Sequence, residues 1–252
     1  MLAEKRQQLI LEMLKNNGII KMQDICEKTD CSESSARRDL QLLEEQGLLV
    51  RVHGGAKMKY SLQREMDMSG KENQNISAKE AIAEFAAKLI RDDDVIYLDA
   101  GSTTLALIKY LGTFSGLTVV TNGVQHASAL ADQNVRTILV GGQLKNSTKA
   151  LVGSQTVSDL QRLRFNKAFL GINGIHPKYG YTTPDPSEAA VKQVALEQSE
   201  KAYVLADASK FNNVSFVKIA DLGAAEIITQ ELSNELFAHY SSQTTIQEAK
   251  EK

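Results

Sequence analysis

Two patterns of apolar and polar positions alternate along the chain, and the change falls near residue 60. In the first stretch apolar residues recur at helical spacing. Leu9, Ile10, Met13 and Leu14 mark one face of a first helix, which Asn16-Asn17-Gly18 ends with a stop that tolerates a left-handed backbone. Met22, Ile25 and Cys26 predict a short second helix from about Lys21 to Lys28, and Thr29-Asp30-Cys31 a tight turn. Ser32 is a good N-cap for a third helix ending near Gly47. Within it Ala36, Leu40 and Leu43 face inward, while Arg37, Arg38 and Gln41 fall on another face. Residues 48–52 read as a strand, and His53-Gly54-Gly55-Ala56 turns the chain back.

From Lys57 to Ser77 the chain is polar and reads as a linker, leading into a helix from Ser77 to Ile90 with Ile82, Phe85, Ala86 and Leu89 on one face. Short apolar runs follow at 95–98, 117–120, 137–140, 167–170, 202–205 and 226–229, with helical stretches between most of them. Strand and helix in alternation predict an α/β fold with a parallel, helix-covered sheet. The last dozen residues are polar and are expected to fray. The expected domains are 1–57, a linker at 58–76, an α/β domain at 77–240 and a flexible tail at 241–252.

Composition narrows the function. The 252 residues are 42% apolar and 24% charged, enough to bury a real core in one large domain or two unequal ones. A net charge of −2 excludes a histone-like coat of positive charge while allowing a local basic surface. No run approaches the roughly 18 apolar residues of a membrane helix, and Met-Leu-Ala-Glu-Lys-Arg lacks a signal-peptide core. A cytoplasmic protein with no membrane partner is expected. Cys26 and Cys31 stand alone, which argues against a disulfide framework or a Cys-rich zinc site; they read most simply as core or turn residues. His53, His126, His176 and His239 are scattered singly and read as surface or capping residues. No metal and no cofactor is expected. Ser102 and Ser209 lack a Gly-x-Ser-x-Gly elbow, so no catalytic residue is assigned.

A helix, a tight turn and a second helix that carries paired arginines have the geometry of a helix-turn-helix. Ser34, Ser35, Arg37 and Arg38 are then the candidates for base edges and phosphates, because the planar fork of arginine pairs bidentately with either. Arg51 and His53 would lie on a wing against the adjacent backbone. Charge alone does not separate this from a small helical domain with a solvated face, since residues 1–60 hold 10 basic and 9 acidic side chains. The unbroken stretch from Ser32 to Ala56, with Ser32-Glu33-Ser34-Ser35-Ala36-Arg37-Arg38-Asp39-Leu40 at its head, closely resembles the winged helix of DeoR-type bacterial repressors. That family usually has Thr and a β-branched residue where this chain has Ser35 and Ala36. The hydroxyl survives the first change and the packing beneath the helix thins with the second. The resemblance implies binding to double-stranded operator DNA.

Asp99-Ala100-Gly101-Ser102-Thr103-Thr104 joins a strand to a helix, a turn whose amides and hydroxyls suit a phosphate, although Ser and Thr at a helix start are more often plain caps. Other strands end in similar residues: Thr121-Asn122-Gly123, Gly141-Gly142, Gly171-Ile172-Asn173-Gly174 and Asp207-Ala208-Ser209-Lys210. In an open parallel sheet these ends converge on one edge, where small-molecule sites gather. A carboxylate and a lysine among hydroxyls and glycine amides fit a sugar phosphate; the plainer alternatives are a surface ion pair at Asp207 and Lys210 and a simple turn at Gly141-Gly142.

Residues from about 79 to 230 resemble the sensor domain of the same family, which is similar in fold to ribose-5-phosphate isomerase. That likeness implies a phosphate loop of Asp99, Gly101, Ser102, Thr103 and Thr104 with Thr121 and Asn122 beside it. Asp207 and Lys210 match the family's Asp-x-Ser-Lys motif, Lys79 matches a lysine that reaches the pocket, and Glu188 and Lys192 lie on a helix near it. It further implies a repressor of a sugar-utilisation operon, a homodimer or homotetramer whose grip on DNA is relieved by a phosphorylated sugar. The start of the chain looks most like fructose-operon repressors that respond to fructose 1-phosphate, with lactose- and tagatose-pathway repressors close behind. The alternative is an isomerase-like enzyme with an accessory helical domain, for which Arg37, Arg38 and a glycine wing have no use.

Overall fold

A computed structural model describes residues 3–58, 62 and 67–250 of the chain. The chain divides into two compact units, Met1–Ser61 and Leu62–Lys252.

The first unit opens with α1 (Ala3–Asn17), which ends where Gly18 adopts φ +71 and donates to the Leu14 carbonyl. A three-residue strand β1 (Ile19–Lys21), too short to show in the sequence pattern, runs into α2 (Met22–Thr29). Helix α3 (Glu33–Glu45) starts at Ser32, whose hydroxyl accepts from the Ser35 amide. Strands β2 (Leu49–Val52) and β3 (Gly55–Met58) form an antiparallel hairpin, and β1 pairs with the other edge of β3. Gly55 is required there, because a Cβ would lie 2.0 Å from the Ile20 carbonyl oxygen. Ile10, Leu14, Ile25, Ala36, Leu40, Leu43 and Leu49 form the core of this unit, as the helical spacing requires. Asp39 is buried beside them and neutralised by Arg6, with Gln7 donating to its other oxygen at 3.0 Å.

The second unit begins within the segment read as a linker. Part of that segment, 59–61 and 63–66, lies outside the described residues, but 68–72 form a short helix α4 (Met68–Glu72), with Met68 buried and its amide donating to the Ser147 carbonyl. Helix α5 (Ile76–Ala87) follows.

The remaining elements alternate: β4 (Val95–Leu98), α6 (Ser102–Leu107), β5 (Thr118–Thr121), α7 (Val124–Asp132), β6 (Arg136–Leu139), the hairpin β7 (Gln143–Lys145) and β8 (Ala150–Val152), then α8 (Ser154–Gln161) and β9 (Phe165–Gly171). After β10 (Gly174–His176) and β11 (Gly180–Thr183) come α9 (Pro186–Glu197), β12 (Ser199–Leu205), β13 (Val217–Ala220), β14 (Glu226–Gln230), α10 (Asn234–Ser241) and β15 (Ile246–Ala249).

Seven strands form one parallel sheet in the order β15-β14-β12-β9-β4-β5-β6. All six apolar runs of the sequence are among them. One core lies where α5, α6 and α7 meet one face, around Ile82, Leu107 and Leu130; another lies where α8, α9 and α10 meet the opposite face, around Leu160, Val191 and Tyr240. The seventh strand, β15, corrects the expected frayed tail at 241–252: residues 246–249 pair in parallel with β14, and Glu248 accepts from the Leu232 amide at 2.8 Å. Its polar residues hid it, because an edge strand leaves one side to solvent. From β4 the chain winds outward through β5 to β6; β9 then returns to the opposite side of β4, and β12 and β14 continue that way. The order therefore reverses between β4 and β9, and a crevice at the carboxyl end of that pair is where such sheets bind ligands.

Candidate functional site

At the reversal point Asp99 leaves β4 with its carboxylate buried. One of its oxygens accepts from the Gly171 amide at 3.0 Å, at the end of β9, and also meets the buried ammonium of Lys192 from α9. Gly101 and Gly171 approach so closely that a Cβ on either would sit 3.6 Å from the other's Cα. The next residues enter α6, and the first-turn amides of Ser102, Thr103 and Thr104 have no acceptor within their own helix.

Several of the expected contacts turn inward. The Thr104 hydroxyl lies 2.6 Å from the Asp99 carbonyl and 2.8 Å from that of Gly101, and it also meets His126 Nε2 at 3.0 Å. Thr121 donates to the Leu98 carbonyl. Asn122 accepts from the Tyr97 hydroxyl and the Ala100 amide and donates to the Leu151 carbonyl. Thr104, Thr121 and Asn122 thus hold the loop in shape.

His126 was read as a surface or capping residue and is instead fully buried. It is the third residue of α7, from which its ring reaches back over Gly123 to the Gly101 amide. Burial pushes its pKa down to about 4, against the pull of Asp99, so the ring is neutral.

Two strands away from Asp99, at the end of β12, Asp207 is also buried. It accepts from the Ser209 amide at 2.9 Å and from Asn75 Nδ2 at 3.0 Å, and Lys210 stands 3.9 Å off. Asn75 holds φ 51 at the start of α5, and one turn later Lys79 donates to the Lys71 carbonyl of α4. Burial lowers Lys79 to about 8 although Asp207 pulls it upward, and burial lowers Lys210 as well. Two interstrand spacings, about 10 Å, separate the Asp207 end of β12 from the Asp99 end of β4.

A third group flanks α9. Glu188 is buried, accepts from Thr148 at 2.7 Å and meets Lys145 at 3.2 Å, and Lys145 also pairs with Asp185. Thr148, Lys145, His126 and Asn75 carried no signal in the sequence, since each reaches the site only through long-range packing. Gly141 and Gly142 turn the chain from the edge strand β6 into β7: the Gly141 amide donates to Asp159 and its carbonyl accepts from Thr156, while a Cβ on Gly142 would lie 2.0 Å from the Thr156 hydroxyl.

In the first unit Ser34, Arg37 and Arg38 are exposed on α3 and Ser35 is half-buried. Arg37 pairs with Glu33 one turn back at 2.6 Å. Arg51 is tied to Glu44 of α3 by both its amide (2.8 Å) and its side chain (2.6 Å), so it braces the wing as well as facing outward. His53 is exposed at the wing tip, next to Gly54 at φ +79.

Comparison with known proteins places both units. A family model described as the DeoR C terminal sensor domain matches residues 74–231, and one described as the DeoR-like helix-turn-helix domain matches residues 6–61. The "Uncharacterized HTH-type transcriptional regulator FruR" of Bacillus subtilis (strain 168) is 43% identical over 99% of this chain and 100% of its own length. The "Lactose phosphotransferase system repressor" of Lactococcus lactis subsp. lactis is 33% identical over 98% of each chain. Among solved structures, a D-ribose-5-phosphate isomerase in complex with phospho-erythronic acid aligns with a TM-score of 0.41, at 21% identity over 53% of this chain and 52% of that one.

Proposed function

The chain belongs to the DeoR family of helix-turn-helix transcriptional regulators, and from that premise we propose that it represses a sugar-utilisation operon and releases its operator when fructose 1-phosphate binds the second unit. It is a regulator and not an enzyme. Helix α3 would lie in the major groove, with Arg38 and, once freed from Glu33, Arg37 on phosphates or guanine edges, Ser34 and Ser35 beside them, and the wing with Arg51 and His53 on the adjacent backbone. A two-fold assembly, dimer or tetramer, would present two such helices to half-sites about one helical turn apart.

The observation that carries the ligand reading is the pair of desolvated lysines near Asp207, Lys79 and Lys210, at the end of β12, two interstrand spacings along the carboxyl edge from the Asp99 end of β4. A phosphate on the Ser102–Thr104 amides places the sugar hydroxyls over Asp99 and Lys192, and its far oxygens against Asp207, Lys210 and Lys79. The first turn of α6 favours the phosphate, and the two lysines that burial depresses gain acceptors in the far oxygens of the sugar. Fructose 1-phosphate is favoured by the likeness of the chain's opening residues to fructose-operon repressors. The ligand acts only through a difference in affinity for the two arrangements of the protein, and the segment from Lys57 to Ile90 joins the sensor to the reading head. A regulator of this kind works in the cytoplasm.

The test is a fluorescence-anisotropy titration on DNA from upstream of the protein's own gene, at one fixed salt concentration because phosphate contacts make affinity steeply salt-dependent. Selective binding that fructose 1-phosphate reverses supports the reading. Reversal by another hexose or pentose phosphate renames the effector, and absence of selective binding overturns the repressor.

A further inference from the structure

The reading head carries two thiols for which DNA binding has no use. Cys26 and Cys31 are free and half-buried, and both pack against the core of the first unit. Helix α2 ends with Asp30 in the left-handed region, and the amides of Asp30 and Cys31 both donate to the Cys26 carbonyl, the latter at 3.4 Å. The bond from the Cys31 amide is that of the Schellman motif, in which the residue whose carbonyl accepts and the residue just past the left-handed one come into side-chain contact. Here those two positions are Cys26 and Cys31, brought together by the bond from the Cys31 amide to the Cys26 carbonyl. Such an approach is what a disulfide requires.

The two sulfurs have different surroundings. Cys31 precedes Ser32, the N-cap of α3, and its sulfur lies 3.1 Å from the Thr29 hydroxyl, which donates to the Ile25 carbonyl at 2.6 Å. Cys26 projects from α2, where burial raises its pKa, helped by Cys31 and Glu33. Two free thiols brought together across one turn, one of them held protonated by burial, suit a resolving and an attacking cysteine.

We propose that Cys31 and Cys26 are a redox pair that a hydroperoxide converts into an intramolecular disulfide across the turn of the reading head. The Cys31 sulfur attacks the terminal peroxide oxygen and gives up its proton. The O–O bond breaks, a sulfenic acid forms, and the other oxygen leaves as an alcohol or water after taking a proton. Cys26 sulfur then attacks Cys31 sulfur. The S–S bond forms, the S–O bond breaks, and hydroxide leaves with the Cys26 proton as a second water. The protein loses two electrons, the peroxide gains them, and a dithiol reverses the change. In a reducing compartment the pair rests as thiols, which makes the disulfide a signal and not a framework.

The bond draws Cys31 sulfur from the Thr29 hydroxyl toward α2, one residue before the cap that sets the start of α3. Ser34, Ser35, Arg37 and Arg38 follow that start, so oxidation changes how they meet DNA. The experiment exposes the reduced full-length protein to hydrogen peroxide, maps the thiols by mass spectrometry, and measures affinity for DNA from upstream of its own gene. Expected are a linked peptide joining residues 26 and 31 of one chain, its reversal by dithiothreitol, and an affinity weakened about tenfold or more while linked. Cys26→Ser should stop at oxidised Cys31 with no link, and Cys31→Ser should resist the same peroxide dose. A link between chains, sulfinic acid without a link in the wild type, or unchanged DNA affinity in the linked protein overturns the proposal. If the reduced protein binds no DNA, the repressor reading has failed instead, and the thiol map still decides the chemistry.

Discussion

The Gly171 amide donates to the Asp99 carboxylate at 3.0 Å, bridging the two strands between which the sheet reverses its order. That carboxylate has one buried cationic partner from a helix 93 residues further on, Lys192. The site is therefore framed before any ligand arrives, and its parts are separable by experiment.

Lys192→Met strands Asp99 as a buried carboxylate without a counter-ion, and breaking such a pair costs about 3–5 kcal/mol. Urea unfolding should show this loss, and Asp99→Asn in the same chain should recover most of it. A loss below about 1 kcal/mol would mean that the pair is wet and exposed.

Lys210→Gln and Lys79→Met should leave operator binding intact and weaken fructose 1-phosphate by about 10- to 100-fold each, the worth of a hydrogen bond to a charged group. Calorimetric titration of the purified variants reads this directly. Normal release of DNA by effector in both variants would remove the β12 end from the ligand site.

Effector affinity should depend on pH through Lys79, which titrates at about 8 in the fold and at 10.5 in its ordinary state. Between those values the unfolded chain holds the proton that the folded chain has lost, so this group's contribution to stability rises with pH through that window. Effector binding has the opposite sign, because the effector's far oxygens accept from the protonated amine. Affinity should hold below pH 8 and fall above it, by up to about tenfold per pH unit. In Lys79→Met the same profile should be weak and flat.

His126 predicts an acid limb. Its pKa is about 4 in the fold against 6.5 ordinarily, so as pH falls from 6.5 toward 4 the unfolded chain takes up a proton that the folded chain refuses. About 3 kcal/mol of stability is lost across that range, and His126→Gln should remove this loss while keeping a polar group beside Gly101. Unfolding curves of the two proteins at about pH 7 and about pH 5 test it; parallel losses would contradict a buried neutral ring.

Arg38→Ala should abolish selective DNA binding and lower the salt slope by about one per phosphate contact removed, with effector affinity unchanged. Arg37→Ala should cost less, because Arg37 must first leave Glu33. A loss of effector binding in either variant would contradict the independence of the two units.

Much of this was legible in the chain because apolar runs of four or more residues have no other use than a buried strand. Strands β1, β7 and β10 have three residues each and β15 is polar, so none has a pattern to read. The strand-to-helix turn from Asp99 to Thr104 was legible as a turn type, whereas the partners that hold it were not. Lys192 reaches Asp99, and Asn75 reaches Asp207, over 93 and 132 residues of chain. His126 misled because a lone histidine shows no periodic partner, and only the reach of the α7 start to Gly101 gives it a task.

The last strand of the large sheet is made from residues 246–249, whereas the core of the reading head is complete by Ala56. As the chain leaves the ribosome, the head can close on its own core while β14 still waits for its neighbour, with the side of its backbone that β15 will pair left open. A message truncated late in the reading frame would therefore yield a chain able to occupy the operator while its sensor stays unfinished: a repressor deaf to sugar.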